Sequence, residues 1–154
     1  MTDYLDPDRG GLTPGIATGT TDIDDSVQTE TTPYSILDII PAAGSPLMDV
    51  EIIIDLAKAT TGFAAVETAV TVQFAIARKI DGTNWRREAY QEAALSGTLA
   101  ANRSARLYAG IVGPTQGCRV YAVFSADVTA DMELPYAVHY KSDTAPTITP
   151  VAAG

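Results

Sequence analysis

The sequence predicts an all-β fold: one antiparallel β-sandwich, jelly-roll-like, with an extended N-terminal arm and a short C-terminal tail. Three observations lead there. Apolar residues recur with period two in several short runs rich in β-branched and aromatic side chains, as a half-buried sheet requires, because successive side chains point to opposite faces. Clusters of Gly, Pro, Asp and Ser separate those runs. The length of 154 residues, with 46% hydrophobic and 19% charged residues, suits one domain with a sizeable core. The reading divides the chain into an arm (1–32), a sandwich body (33–141) and a tail (142–154).

The arm is rich in Gly and Thr (Gly10, Gly11, Gly15, Gly19, Thr18, Thr20, Thr21) and shows no sustained periodicity. It reads as an extended segment without a core of its own. Ser35 to Ile40 is the first strand, and Pro41 to Pro46 turns the chain. Val50, Ile52, Ile54 and Leu56 then fall on one face, with Asp49, Glu51 and Asp55 opposite. Ala57 to Thr68 reads as a loop. Val70, Val72, Phe74 and Ile76 form the next row, and Asp81-Gly82 opens a hairpin, since Gly tolerates positive φ.

Arg86 to Leu95 is ambiguous. Trp85, Ala89, Ala93 and Tyr90 would share a helical stripe, but no capping box opens such a helix, because Arg86 stands three residues after Thr83. A strand from Asn84 to about Gln91 is the preferred reading. Ala105 to Val112 is a further strand, and Gly113 to Gly117 a turn. Val120, Ala122, Phe124 and Ala126 alternate over a reverse face that Tyr121 and Val123 make apolar too, which predicts a central strand. After a turn at Asp127 to Asp131, Met132, Leu134, Tyr136, Val138 and Tyr140 share a face. Pro146 and Pro150, among Thr and Ala, mark an extended tail.

Charge narrows the function classes. Nineteen acids against ten bases give a net charge of −9, the wrong sign for a general nucleic-acid binder. Residues 1–30 hold seven acids and one base, whereas residues 31–141 hold eleven and nine. The acidity belongs mostly to the arm. No run approaches the roughly 18 apolar residues that span a membrane, and the acidic start is unlike a secretory signal. The expectation is a protein made in the cytoplasm, with neither membrane nor nucleic acid as partner.

A catalytic constellation does not emerge, and the expectation is a non-enzymatic protein without cofactor or metal. One His, His139, lies on the polar face of its strand, and one Cys, Cys118, reads as a small buried apolar side chain. Asp22, Asp24 and Asp25 form a D-x-D-D cluster. Counted as a calcium loop from Asp22, position six is Val27 and position twelve Pro33, so the match fails. Asp127, Asp131 and Glu133 could meet at one turn and hold a cation, although acids in turns more often solvate them or hydrogen-bond the backbone. Gly10-Gly11 and Gly113 to Gly117 lack the Lys and helix of a phosphate loop. The bases are grouped: Arg86, Arg87, Arg103, Arg106 and Arg119 are candidates for contacts with an acidic partner surface or another subunit's arm. Asp22, Asp24 and Asp25 are the matching acidic candidates. Trp85 is expected to pack in the core.

Small size, a polar arm up to Thr32, sandwich-like strands from Tyr34 to Lys141 and a Thr/Pro/Ala tail resemble the decoration, or cement, proteins of tailed-bacteriophage heads. The run Val70–Trp85 (VTVQFAIARKIDGTNW) followed by Arg119–Tyr140 carries most of that resemblance. It implies a structural virion protein on the outer capsid surface, a homo-oligomer with a trimer favoured, bound to the major capsid protein through its β body and arm. Alternatives are a carbohydrate- or other ligand-binding sandwich, with Tyr108, Tyr121, Tyr136 and Tyr140 as candidate aromatics, another head or tail protein, or a carboxylate hydrolase.

Overall fold

The computed structural model describes residues 12–23, 34–67, 70–88, 90–91, 94–126, 128 and 130–150. They form β1 (Thr13–Ile23), β2 (Tyr34–Ile40), β3 (Leu47–Asp55), α1 (Phe63–Val66), β4 (Thr71–Lys79), β5 (Trp85–Arg87), β6 (Leu95–Ser96), α2 (Gly97–Ala100), β7 (Ser104–Val112), β8 (Cys118–Phe124), β9 (Met132–Ser142) and β10 (Thr147–Pro150). Two sheets pack face to face. One has the order β1-β9-β3-β7, the other β10-β2-β8-β4-β5, with β6 also paired to β4. Every pairing is antiparallel. The longer strands alternate between sheets along the chain, so each connection crosses an end of the sandwich.

The predicted parity holds. Val50, Ile52, Ile54 and Leu56 are buried from β3 onward, Val72, Phe74 and Ile76 from β4, and Met132, Leu134, Tyr136 and Val138 from β9. β8 lies between β2 and β4, and its burial on both faces agrees with that central place. At one end α1, in the segment read as a loop, seats the fully buried Phe63 against Phe124, with centroids 6.4 Å apart. Four residues of α2 were likewise not expected.

The arm reading needs correction. Thr13–Ile23 is no free extension: it pairs along its length with β9, from Thr13 opposite Ser142 to Ile23 opposite Met132. Its inward positions are Gly15, Ala17, Gly19, Thr21 and Ile23, small until the last two. The reason lies across the ladder. Gly15 faces Tyr140 and Gly19 faces Tyr136, and a Cβ at either glycine would sit 2.5 Å from the ring or its hydroxyl. The tyrosines fill the space that β1 leaves empty, so a strand with little apolar periodicity still closes the core. Thr21 ties β1 to the other sheet, its Oγ1 donating to the carbonyl of Ile36 at 2.9 Å. The tail is corrected similarly: Thr147–Pro150 is the edge strand beside β2. The rest of the expected arm, 1–11 and 24–32, lies outside the described residues.

The free edge of β7 is covered by Arg78 of β4 and by Gln91 from the segment after β5. Gln91 accepts from the Tyr108 amide and donates to its carbonyl, both at 2.7 Å, as a neighbouring strand would. Arg78 reaches across from β4 to the carbonyls of Ala109 and Ile111, the latter at 2.5 Å, while its Nε donates to Glu88 at 2.8 Å. Such caps remove the unpaired backbone groups that invite edge-to-edge association.

Candidate functional site: a cationic aromatic cleft

The expected hairpin at Asp81-Gly82 sets the position of Trp85. The Asp81 carboxylate accepts from the amides of Thr83 (3.0 Å) and Asn84 (2.7 Å) and from the Asn84 side chain (2.8 Å). These bonds, the Asn84 amide first, hold its pKa well below the usual carboxylate range. The turn returns the chain as β5, with Trp85 opposite Lys79, Arg86 opposite Arg78 and Arg87 opposite Ala77. The strand ends at Arg87, shorter than the expected run to Gln91.

Trp85 is not a core residue. It stands half-buried on the outer face of its sheet, between cations: the Lys79 ammonium lies 4.9 Å and the Arg119 guanidinium 4.4 Å from the ring centroid. Gly117 makes this possible. Its φ of +60° suits glycine, and a Cβ there would lie 3.1 Å from Trp85 and 3.2 Å from Ile40. Arg119 forms a two-pronged pair with Asp38, Nε to Oδ1 at 2.6 Å and Nη2 to Oδ2 at 2.9 Å. Its pKa rises above its already high ordinary value, chiefly through that hydrogen bond and against desolvation. Its guanidinium also lies 6.0 Å from the Tyr121 ring centroid.

Register places these groups in rows. Asp38, Arg119, Ala77 and Arg87 are successive neighbours across β2, β8, β4 and β5, and Tyr121 stands opposite Ala75 in the next row. Ala75 and Ala77 are almost wholly covered, at 1% and 0% exposure. Between the larger side chains opens a cleft of about 350 Å³ lined by Trp85, Arg86, Arg87 and Tyr121.

The candidate bases thus separate. Arg86 and Arg87 share the cleft, exposed. Arg106 lies on the outer face of the other sheet, 3.3 Å from Glu51. Arg103 sits exposed at the opposite end of the sandwich, next to Ser104, which pairs with Asp55. Among the candidate acids, Asp22 is exposed on β1 opposite Glu133, while Asp24 and Asp25 lie outside the described residues. Glu133 is engaged by Lys58. Asp127 is also outside the described residues, and among those described no three His, Cys, Asp or Glu side chains gather as metal ligands. Sequence reading singled out Arg119 but missed Asp38, Lys79 and the cleft role of Tyr121. The signal was present: all four project outward once the strands are in register.

A second concavity, of about 400 Å³, lies on the outer face of the four-stranded sheet, lined by Asp49, Val50, Glu51, Tyr108, Gly110 and His139. Its acids face cations, Glu51 with Arg106 and Asp49 with Lys141 at 3.9 Å. His139 is exposed, and the Cys118 thiol, fully buried in β8, is pushed up to about 12 by desolvation. Among the described tyrosines named as candidate aromatics, Tyr136 is buried and Tyr140 packs on the core, while Tyr108 and Tyr121 occupy opposite faces of the molecule. No family model matches the chain, and no curated protein matches its sequence.

Proposed function

We propose that this chain is a structural virion protein, a decoration protein that binds the outer surface of a capsid and stabilises the assembled head. The observation that carries the reading is the cleft lined by Trp85, Arg86, Arg87 and Tyr121, with Arg119 packed on the Trp85 ring. Trp, Tyr and Arg dominate the energetics of protein interfaces, and guanidinium groups pair carboxylates through two parallel hydrogen bonds. On a chain of net charge −9, such a local reversal of sign favours an acidic protein surface and disfavours a polyanion, which the overall field repels. The proposed partner is the major capsid protein. The proposed assembly is a homo-oligomer, a trimer by the resemblance to decoration proteins.

The mechanism is mass action. A ligand that binds the completed lattice better than its dissociated subunits stabilises that lattice, and several copies per oligomer raise avidity without new chemistry. The segment before β1 adds a second attachment when it lies on a neighbour, where its ordering is offset by contact.

The test is co-sedimentation with heads assembled from the major capsid protein of the same genome. Saturable pelleting that raises the temperature of head disruption is the expected result, and loss of pelleting in R86Q/R87Q assigns it to the cleft. Absence of binding, or of any capsid gene in that genome, overturns the reading.

A further inference from the structure

We infer that β5 is a strand-addition site, where the partner's segment enters as an extended acidic strand and lengthens the six-stranded sheet beyond Trp85–Arg87. The inference rests on the reading that this cleft faces a protein partner, and it adds how that partner is held. The direction of the β5 backbone carries it. The Glu88 amide donates to the Ile76 carbonyl at 2.7 Å, and Arg86 stands opposite Arg78. Bonded pairs alternate along an antiparallel ladder. Glu88 and Arg86 therefore turn their backbone groups toward β4, and Trp85 and Arg87 turn theirs away from it. The Lys79 amide, opposite Trp85, agrees: it points to the other side of β4 and donates to the Gln116 carbonyl at 2.9 Å. β5 ends its sheet among the described residues, so the outward amides and carbonyls form a template for one more strand.

A side chain already occupies part of that template. Arg86 folds back so that its Nη1 donates to the outward carbonyl of Trp85 at 3.1 Å. Gln91 caps Tyr108 on β7 in the same manner. An incoming amide takes over the Trp85 carbonyl and frees the Arg86 guanidinium for a carboxylate.

Charge selects the occupant. Lys58, Arg78, Arg106, Arg119 and Lys141 each face an acid, whereas Lys79, Arg86, Arg87 and Arg103 have no ion pair among the described residues. Arg103 lies at the opposite end of the sandwich. The other three meet at β5, with Lys79 against the Trp85 ring and Arg86 and Arg87 lining the cleft. A second copy's β5 fits this edge badly. In the two-fold register that joins Trp85 to Arg87, Arg86 stands against its own copy, and like charges directly opposite destabilise a pair.

An acidic strand fits well. Run antiparallel, like every pairing in this sheet, three successive partner residues stand opposite Arg87, Arg86 and Trp85. The complementary order is acid, acid, apolar. Opposed Cβ atoms in such a pair lie about 4.5–5.5 Å apart, close enough for carboxylates to meet both guanidinium groups. The apolar side chain lies beside the Trp85 ring on the cleft face.

Trp85 is the only tryptophan, so its emission reports binding at β5. The probe is a capped peptide with Glu-Glu-Leu set between Thr-Val and Val-Thr, titrated into the full chain. Strand addition predicts a saturable change in emission, with half-saturation at about 1 mM or below. N-methylation of the Leu, whose amide donates to the Trp85 carbonyl, should weaken binding at least about fivefold, as loss of one hydrogen bond requires. N-methylation of the second Glu, whose amide points away from β5, should leave binding unchanged. R86Q/R87Q should weaken the unmodified peptide at least about tenfold, with circular dichroism showing the sandwich intact. Equal binding of the two methylated peptides, or no binding of the unmodified one, overturns the inference. So does equally tight binding of an oligogalacturonate, which carries carboxylates without amides. Heads bound through Arg86 and Arg87 while the peptide fails would sink strand addition and leave the capsid reading standing. Methylation-sensitive peptide binding without head binding would count against the capsid reading alone.

Discussion

Removing the Arg119 guanidinium tests whether the outer face of the six-stranded sheet is a built surface. In R119A the Asp38 carboxylate loses both prongs of its pair, at 2.6 and 2.9 Å, and Trp85 loses the cation 4.4 Å from its centroid. A hydrogen bond to a charged group contributes about 1.5–3 kcal/mol when shielded. With side chains 24% and 22% exposed, solvent screening reduces the pair to about 1–2 kcal/mol. The contact with Trp85 adds about 0.5–1 kcal/mol. R119A should therefore lower unfolding free energy by about 2–3 kcal/mol, D38A by about 1–2, and the double variant by less than their sum, with a coupling of about 1 kcal/mol. Urea unfolding followed by Trp85 emission and by circular dichroism gives all four corners of the cycle. R119K, which keeps the charge but not the planar fork, should recover less than half of the loss. A coupling below about 0.3 kcal/mol, within the additivity of unrelated sites, would show that the pair is an incidental surface contact and refute the reasoning.

Further outcomes follow from the same structure. Deleting residues 1–11 should leave the thermal midpoint nearly unchanged, whereas deletion through Ile23 removes β1, exposes Tyr136 and Met132, and should cost at least about 3 kcal/mol from lost apolar burial; thermal unfolding distinguishes the two. G19A, whose Cβ would lie 2.5 Å from the Tyr136 hydroxyl, should destabilise by about 1–3 kcal/mol through overpacking, and Y136F should not relieve it fully, because the ring carbon Cζ still lies 2.8 Å away. Cys118, raised by burial from 9.0 to about 12, binds its proton more tightly folded than unfolded. Its contribution is therefore fully present below pH 9.0 and lost as pH rises toward about 12, at about 1.4 kcal/mol per unit. C118V should flatten that part of the stability–pH curve, and the native thiol should resist a thiol-specific chromogenic reagent at neutral pH.

Where side chains alternate in size as well as polarity, the sequence shows its structure directly. Val50 to Leu56, Val72 to Ile76 and Met132 to Val138 face inward as their spacing predicts, and the two-sided burial of Val120 to Phe124 correctly implies a central strand. β1 was illegible for a tertiary reason. Gly15, Ala17 and Gly19 carry no hydrophobic signal because Tyr136 and Tyr140, more than a hundred residues away in the chain, supply the volume. β10 was hidden because a four-residue edge strand with an exposed proline needs only one paired side.

The cleft was partly legible. Arg86 and Arg87 were singled out as partner contacts, and they share it. The grouping with Arg103 and Arg106 dissolved because sequence proximity says nothing about which sheet a strand joins. The general burial of aromatic residues points Trp85 to the core, yet Lys79 and Arg119 give its ring a polar environment that an outer sheet face can supply.

The most direct measurement is an electron cryomicroscopy reconstruction of heads carrying this chain. The account predicts the outer face of the six-stranded sheet against an acidic surface of the capsid protein, with Arg86 and Arg87 at carboxylates and Trp85 excluded from solvent. Heads on which that face is open to solvent, with the sandwich attached through Tyr108 and His139 on the other sheet, would contradict it.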